Sequence, residues 1–444
     1  MTKSKGARGA AFRVLNRVEA GDSYADILLE AELENLSEAD SALAMEITNG
    51  VLRWRIRLDW AIDSFSSIKT KKLEHNVLNA LRIGAYQILF LTRVPASAAI
   101  NESVNLVKTG GNKKAGFVNA VLRKINSEKD NLKFPDFEKE PVKHISVVYS
   151  HPEWMVKRWV ERFGLDEAMS LCEGNQIRPP KVLRVNTLKT TRGELFNELV
   201  EKGLDVKLTD YSPLGIQVFR GRLNPKDDRY YIQDEASQLV PLLLAPKAGE
   251  AILDACSAPG GKTTLMAQLM NNSGIIIALD KYAGRLRTVE ESAQRLGVKI
   301  IKTMEADAAG PLRLPAEIQE FDAILCDAPC SGLGVLRRSP DIKYRRKEED
   351  IKELSALQKS ILENISRYLK KGGRIVYSTC TFEPEETDGV VKWFLENHKD
   401  FVLEKAGGYV PEDCKTMVDE PGFLRTYPHR HGTDGFFAAR LRKL

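Results

Sequence analysis

The sequence predicts a multidomain protein with an all-α N-terminal bundle, a small α+β middle region and a C-terminal α/β domain of Rossmann-like type. Three observations carry this prediction. At 444 residues the chain is too long for one typical domain. Up to about residue 126 the apolar residues recur at helical spacing. From about Tyr230 short apolar runs alternate with helical stretches. The expected domains are 1–143, 144–228 and 229–444.

In the first region Val77, Leu81, Ala85, Ile88 and Leu89 share one helical stripe, and Phe117, Val121, Leu122 and Ile125 share another. Breaks are expected at Gly21-Asp22, Val94-Pro95 and Gly110-Gly111-Asn112, and residues 126–141 read as a linker. The middle region shows strand patterns over 181–186, 206–208 and 215–219, with a helix carrying Leu195, Phe196, Leu199 and Val200 between them. In the last region four runs read as buried strands: 251–256, 274–280, 321–327 and 373–378. A further strand runs through Ile300 and Ile301 toward Asp307. Ile351, Leu354, Leu357, Ile361, Leu362, Ile365 and Leu369 form one helical stripe. Such alternation implies a parallel sheet covered on both faces, whose ligands sit beyond the carboxyl ends of the strands.

Composition narrows the function. A hydrophobic share of 43% and a charged share of 29% suit a globular chain. A net charge of +5 permits a nucleic-acid partner without requiring one. The first 21 residues lack an apolar signal core, and no apolar run is long enough to span a bilayer. A cytoplasmic protein without a membrane partner is expected. Six cysteines are too few for a disulfide scaffold, and their spacing lacks the tight pairs of a zinc or redox site, so no metal is expected.

After the first strand of the last region stands Cys256-Ser-Ala-Pro-Gly-Gly-Lys-Thr263. Adjacent glycines at a helix start let backbone approach a ligand. A phosphate loop is a competing reading, but its pattern requires glycine where this chain has Cys256. Asp280 ends the second strand and is placed to hold a ribose diol, with Arg285 shortly after it. Asp307 ends the third, where an amino group could be read. Each aspartate alone is more often a solvated strand end or a helix cap. Together, at successive strand tips, they favour an adenosyl ligand without phosphates.

Cys330 follows the fourth strand in Asp327-Ala-Pro-Cys-Ser-Gly332, and Cys380 follows the fifth in Tyr377-Ser-Thr-Cys-Thr381. Consecutive strands in such sheets are usually neighbours, about 4.8 Å apart, so both thiols are expected at one cleft. A thiolate is a strong nucleophile near neutral pH. Two of them suit a reaction needing covalent attack and later proton removal. A single cysteine is more often a buried apolar group, as is expected of Cys326.

These stretches, with the terminal His431-Gly-Thr-Asp-Gly-Phe-Phe437 and Gln233-Asp-Glu-Ala-Ser237, resemble the NOL1/NOP2/Sun family of S-adenosyl-L-methionine-dependent RNA 5-methylcytosine methyltransferases. The helical region resembles the antitermination factor NusB, through Val94-Pro-Ala-Ser-Ala-Ala-Ile-Asn-Glu-Ser-Val104 and Lys114-Ala-Gly-Phe-Val-Asn-Ala-Val-Leu-Arg123. The resemblance spans nearly the whole chain. It implies S-adenosyl-L-methionine as cofactor, and the fusion with a NusB-like region implies 16S (small-subunit) rRNA as substrate. Cys380 would be the nucleophile, Cys330 would help release the product, and Asp327 would hydrogen-bond the cytosine. Cys256, Ser257, Ala258, Pro259, Gly260, Gly261 and Lys262, with Asp280, Arg285, Asp307 and Asp327, would line the cofactor site. Ser339 and Thr387 stand where the family commonly has histidine and asparagine.

Basic clusters at Arg53, Arg55 and Arg57, at Lys113, Lys114, Arg123 and Lys124, and at Arg337, Arg338, Arg345 and Arg346 are candidate RNA contacts, though each alone suits a solvated helix face. The chain is expected to be a monomer. A P-loop-type NTPase acting on RNA and a non-catalytic NusB-like RNA-binding factor are the alternative readings. Asp280 and the missing first glycine speak against the first, and the cysteine pair against the second.

Overall fold

The computed structural model describes residues 6–21, 23–34 and 36–444. Asp22, half of the first expected break, lies outside the described residues, as do the first five residues. The chain divides into two compact units. One holds residues 1–177 and 336–346, and the other holds 178–335 and 347–444.

The first unit is helical. Six helices, Ala7–Glu19, Ala25–Leu33, Glu38–Phe65, His75–Phe90, Ala96–Val107 and Asn112–Glu128, enclose a core that includes Leu15, Ile47, Ile62, Leu81, Val118 and Leu122. The break at Val94-Pro95 falls just before Ala96, because proline suits a helix start and disfavours helix in the residue before it. Gly111 opens the helix Asn112–Glu128 at φ 107°, a conformation that side-chained residues avoid. Three helices, Pro141–Val148, Glu153–Phe163 and Leu165–Gly174, are not evident in the sequence pattern and complete this unit. The segment 336–346 contributes Lys343, fully buried, whose ammonium donates to the carbonyls of Arg53 (2.8 Å) and Ser150 (2.7 Å).

The second unit begins with the small α+β region. Strands β1 (Lys181–Val185), β2 (Asp205–Leu208), β3 (Gly215–Arg220) and β4 (Tyr230–Ile232) form an antiparallel sheet in the order β2-β3-β1-β4. The helix Arg192–Glu201 sits on it through Leu195 and Leu199, and Thr191 with Glu194 forms a reciprocal cap at its start.

The larger sheet contains β5 (Ala251–Asp254), β6 (Ile275–Asp280), β7 (Ile301–Glu305), β8 (Phe321–Asp327), β9 (Leu369–Thr379), β10 (Phe401–Glu404), β11 (Leu424–Thr426) and β12 (Phe436–Lys443). Its order is β10-β12-β9-β8-β5-β6-β7, with β11 paired to β12. The five strands from β9 to β7 are parallel, as the alternation predicts, while β12 joins β9 antiparallel and makes the sheet mixed. Side chains alternate between two cores, one with Leu253, Ile277, Ile324 and Ile375 and the other with Ile252, Ile276, Leu325 and Val376. The helical stripe forms the helix Glu348–Ser366, but Leu369 lies beyond it, at the start of β9. The strand order reverses between β5 and β8, so their carboxyl ends open the crevice where such sheets bind ligands.

Candidate active site

The loops at the carboxyl ends of the strands line the crevice. After β5 the loop 255–260 leads into the helix Gly261–Leu269. Gly260 adopts φ 101°, and a side chain there would meet the backbone of Val289 at 3.0 Å, so this glycine serves close packing within the chain. Gly261 is crowded by Tyr231 of β4. Arg184 of β1, fully buried, pins this helix start from the small sheet. Its guanidinium donates to the Gly261 carbonyl, to Thr264 Oγ1 (3.0 Å) and to Gln233 Oε1 (2.8 Å), and burial lowers it to about 9.

Two adjoining cavities occupy the crevice. The larger, about 400 Å³, is bounded by Asp280, Asp307, Asp327, Cys330 and Cys380 among others, and the smaller, about 180 Å³, by Asp254, Gln233 and Lys262 among others. Cys256, Ala258 and Asp327 border both. Ser257, Pro259, Gly261 and Lys262 face the smaller cavity, whereas Gly260 faces neither. Asp280 is buried. Its carboxylate accepts from the Tyr282 amide (3.0 Å) and pairs with Arg285 (3.1 Å). Asp307 pairs with Lys281 at 2.9 Å, which with its hydrogen bonds holds its carboxyl below the usual range. Leu357, on the expected apolar stripe, is partly exposed and with Ile361 forms an apolar wall of the larger cavity.

Beyond β8 and β9 the two thiols meet, with Cys330 Sγ 3.1 Å from Cys380 Sγ and neither in a disulfide. The hydrogen bond with Cys380, together with burial, pushes the Cys330 thiol well above its ordinary value. The loops carrying them touch backbone to backbone. The Gly334 amide donates to the Cys380 carbonyl (3.0 Å), and the Gly435 amide donates to the Gly334 carbonyl (2.8 Å). Asp327 is held on both oxygens, by Ser378 Oγ (2.7 Å) and Lys262 Nζ (2.6 Å). Cys326, one residue earlier, is fully buried in the sheet core, as expected of a packing cysteine.

The structure thus brings Cys256, Asp280, Arg285, Asp307, Asp327, Cys330 and Cys380 to one cavity and places Lys262 against Asp327. The sequence pattern does not single out Arg184, Ser378, Gln358 or Glu386, whose contacts cross long stretches of chain or lie off the strand tips. The arginine cluster Arg53, Arg55 and Arg57 is turned to structural use. Arg53 donates to the Arg337 carbonyl (2.7 Å), Arg55 pairs with Glu19 (2.7 Å), and Arg57 lies over Phe134. Arg337 is buried, and Arg345 pairs with Asp341 at 3.3 Å. Lys113, Arg123 and Lys124 are exposed.

The cavity's chemistry is acidic. Asp254 Oδ1 is buried without a hydrogen-bond partner at the smaller cavity, and Asp280, Asp307 and Asp327 ring the larger. Asp280, Asp307 and Asp327 are each paired with a cation, Arg285, Lys281 and Lys262, and keep acceptor positions that suit a ligand with a diol and an amine, as S-adenosyl-L-methionine has. The parallel sheet, the switch-point crevice and this carboxylate lining fit an S-adenosyl-L-methionine-dependent methyltransferase. Residues 241–442 match the family described as 16S rRNA methyltransferase RsmB/F, residues 5–127 the NusB family, and residues 151–222 the ferredoxin-like domain of RsmF/B-like methyltransferases. A probable ribosomal RNA small subunit methyltransferase B of Bacillus subtilis (strain 168) is 38% identical over 99% of both chains. A ribosomal RNA small subunit methyltransferase B of Escherichia coli O1:K1 is 34% identical over the full length of both. The crystal structure of PH0851 superposes with a TM-score of 0.81 at 27% identity over 99% of each chain. The chain belongs to the 16S rRNA methyltransferase RsmB/F family.

Proposed function

We propose that this chain methylates carbon 5 of a cytosine in 16S rRNA, with Cys380 as nucleophile and Cys330 as the residue that assists release. The observation that carries this reading is the pair of thiols 3.1 Å apart in the lining of the cavity that Asp280, Asp307 and Asp327 also border. By resemblance to the family's motifs, the attacking sulfur is Cys380, in Ser378-Thr-Cys-Thr381, and the release residue is Cys330, in Asp327-Ala-Pro-Cys-Ser-Gly332. The Cys380 thiolate adds to carbon 6 of the ring, breaking its aromaticity and making carbon 5 enamine-like. Bound S-adenosyl-L-methionine supplies the electrophilic methyl group. Asp327, fixed by Ser378 and Lys262, hydrogen-bonds the base edge. Loss of the carbon 5 proton, assisted by Cys330, then expels Cys380 and restores the ring. Asp280, with Arg285 beside it, holds the ribose diol. Asp307 would read the adenine amine, and Cys256, Ser257, Ala258, Pro259, Gly261 and Lys262 would hold the rest, with Gly260 setting the turn between them.

The target base must be unstacked to reach the cavity. Residues 229–444 carry the chemistry. Residues 144–228 brace the glycine loop through Arg184. Residues 1–143 dock RNA through exposed basic side chains such as Lys113, Arg123 and Lys124. The enzyme works as a monomer in the cytoplasm. No helix among the described residues is long and apolar enough to cross a membrane.

The test uses purified protein, unmodified 16S rRNA and methyl-labelled S-adenosyl-L-methionine. Wild type transfers label. Cys380→Ala forms no adduct and transfers nothing. Cys330→Ala leaves a band on a denaturing gel that carries both protein and RNA, and the double variant loses that band. An adduct formed by Cys380→Ala would reverse the roles, and full activity of both single variants would remove the cysteines from the mechanism.

A further inference from the structure

Glu386 lies in the turn after Cys380, fully buried and outside the cavity lining. Its Oε1 accepts from the Ser331 amide (2.8 Å) and from Gln358 Nε2 (3.0 Å), and its Oε2 accepts from Ser331 Oγ (2.5 Å). Gln358 Nε2 also donates to the Pro329 carbonyl at 2.9 Å. Both peptide neighbours of Cys330 are therefore held by one carboxylate and the amide beside it. Ser331 Oγ further lies 3.1 Å from Thr381 Oγ1, which ties the residue after Cys330 to the residue after Cys380. Tyr377, just before the Cys380 loop, closes the ring with its hydroxyl 2.7 Å from the Glu386 carbonyl and 3.1 Å from Gln358 Oε1. A buried carboxylate is costly unless its acceptors are used, and here Ser331 and Gln358 engage both oxygens.

We propose that Glu386 is a positioning residue that holds Cys330 against Cys380 and so sets the rate of product release. This rests on the reading of Cys330 as the release residue. With a carboxylate at 386 the Cys330 loop has one resting place. Without it, the Ser331 amide loses Glu386 Oε1 and the Ser331 hydroxyl keeps only Thr381 Oγ1 of these two contacts, so Cys330 shifts from the spot that the release step needs.

Single-turnover reactions with methyl-labelled S-adenosyl-L-methionine and unmodified 16S rRNA separate the steps. Glu386→Ala should form the methylated adduct and then release it roughly tenfold or more slowly, the scale of a lost charged hydrogen bond. The slow band on a denaturing gel should accumulate as it does for Cys330→Ala. Glu386→Gln, which keeps an acceptor for the Ser331 amide, should restore most of the release rate. Calorimetric S-adenosyl-L-methionine affinity should match wild type in both variants, which shows that they are folded. If Cys330→Ala itself gives no adduct, the assignment of Cys330 fails. If Cys330→Ala traps the adduct while Glu386→Ala releases at the wild-type rate, the role of Glu386 fails. Equal slowing in Glu386→Ala and Glu386→Gln would also overturn it, since the retained acceptor would then be irrelevant. Loss of affinity in Glu386→Ala with normal release in Glu386→Gln and in a Ser331→Ala variant would reduce Glu386 to a packing group.

Discussion

Asp254 ends β5 with one carboxylate oxygen bonded by Thr263 Oγ1 at 2.7 Å and the other without a partner. Burial, the largest influence, raises its carboxyl from 3.8 to about 7. The folded protein therefore keeps a proton on this group over a range where the unfolded chain has lost it. Between pH 4 and 7 the folded state binds more protons, so the contribution of Asp254 to stability falls as pH rises and levels off above 7. The full swing is roughly 4 kcal/mol. Asp254→Asn, neutral at every pH, should lack this slope. Urea unfolding of both proteins across this pH range should show the variant gaining on wild type up to neutrality and then running parallel. A constant difference would mean that Asp254 is ionised throughout. The same residue bears on binding, since its unpartnered Oδ1 at the wall of the smaller cavity is improved by any ligand that brings a donor to it.

At the scale of elements, the two cysteine loops are joined at Gly334. A methyl group there would sit 2.0 Å from the Gly435 carbonyl oxygen and 2.9 Å from that of Cys380. Backbone cannot yield as a flexible side chain does, so Gly334→Ala should force the loop after β8 away from β9 and β12, at a cost of about 1–3 kcal/mol. Melting curves should show a lowered midpoint, and methyl transfer should fall by more than S-adenosyl-L-methionine affinity, because the damage lies between the thiols. Unchanged transfer would show that the loops tolerate separation.

The sheet that makes this junction was largely legible in the sequence. The apolar runs of β5, β6 and β8 end in Asp254, Asp280 and Asp327, and the neighbouring placement of β8 and β9 brings Cys330 to Cys380. What stayed hidden depends on long-range pairing. The final strand β12 inserts antiparallel between β9 and β10, which no local period announces. Glu386 reads as one acid in a charged turn until the chain brings Ser331 and Gln358 to it. Arg53, Arg55 and Arg57 read as a basic patch because sequence counts charges without showing that carbonyls, carboxylates and rings already engage them.

At the scale of the whole molecule, the two compact units are interleaved in sequence. The segment 336–346 comes soon after the Cys330 loop, yet it belongs to the helical unit. There Lys343 is 1% exposed and held by two carbonyls, Asp341 accepts from the Ala25 amide at 3.4 Å, and Arg345 donates to the Ser23 carbonyl. Burial drives the Lys343 ammonium well below its ordinary value, so this contact is specified by shape and by the carbonyl acceptors rather than by a counter-ion. A chain shortened to 178–444 retains the catalytic sheet but leaves 336–346 without the helices that bury it. Five basic residues, Arg337, Arg338, Lys343, Arg345 and Arg346, then become available to trypsin. Limited proteolysis should cut the shortened chain within this segment early and leave the same bonds of the full chain intact, as judged by fragment masses. S-adenosyl-L-methionine affinity should survive the shortening, because the acidic cavity is built from 178–335 and 347–444 alone. RNA affinity should drop and its salt dependence flatten, since fewer phosphates are neutralised. Equal protection of 336–346 in both chains would show that the segment holds its fold without the helical unit, and the unit would then have no structural hold on the stretch beyond Cys330.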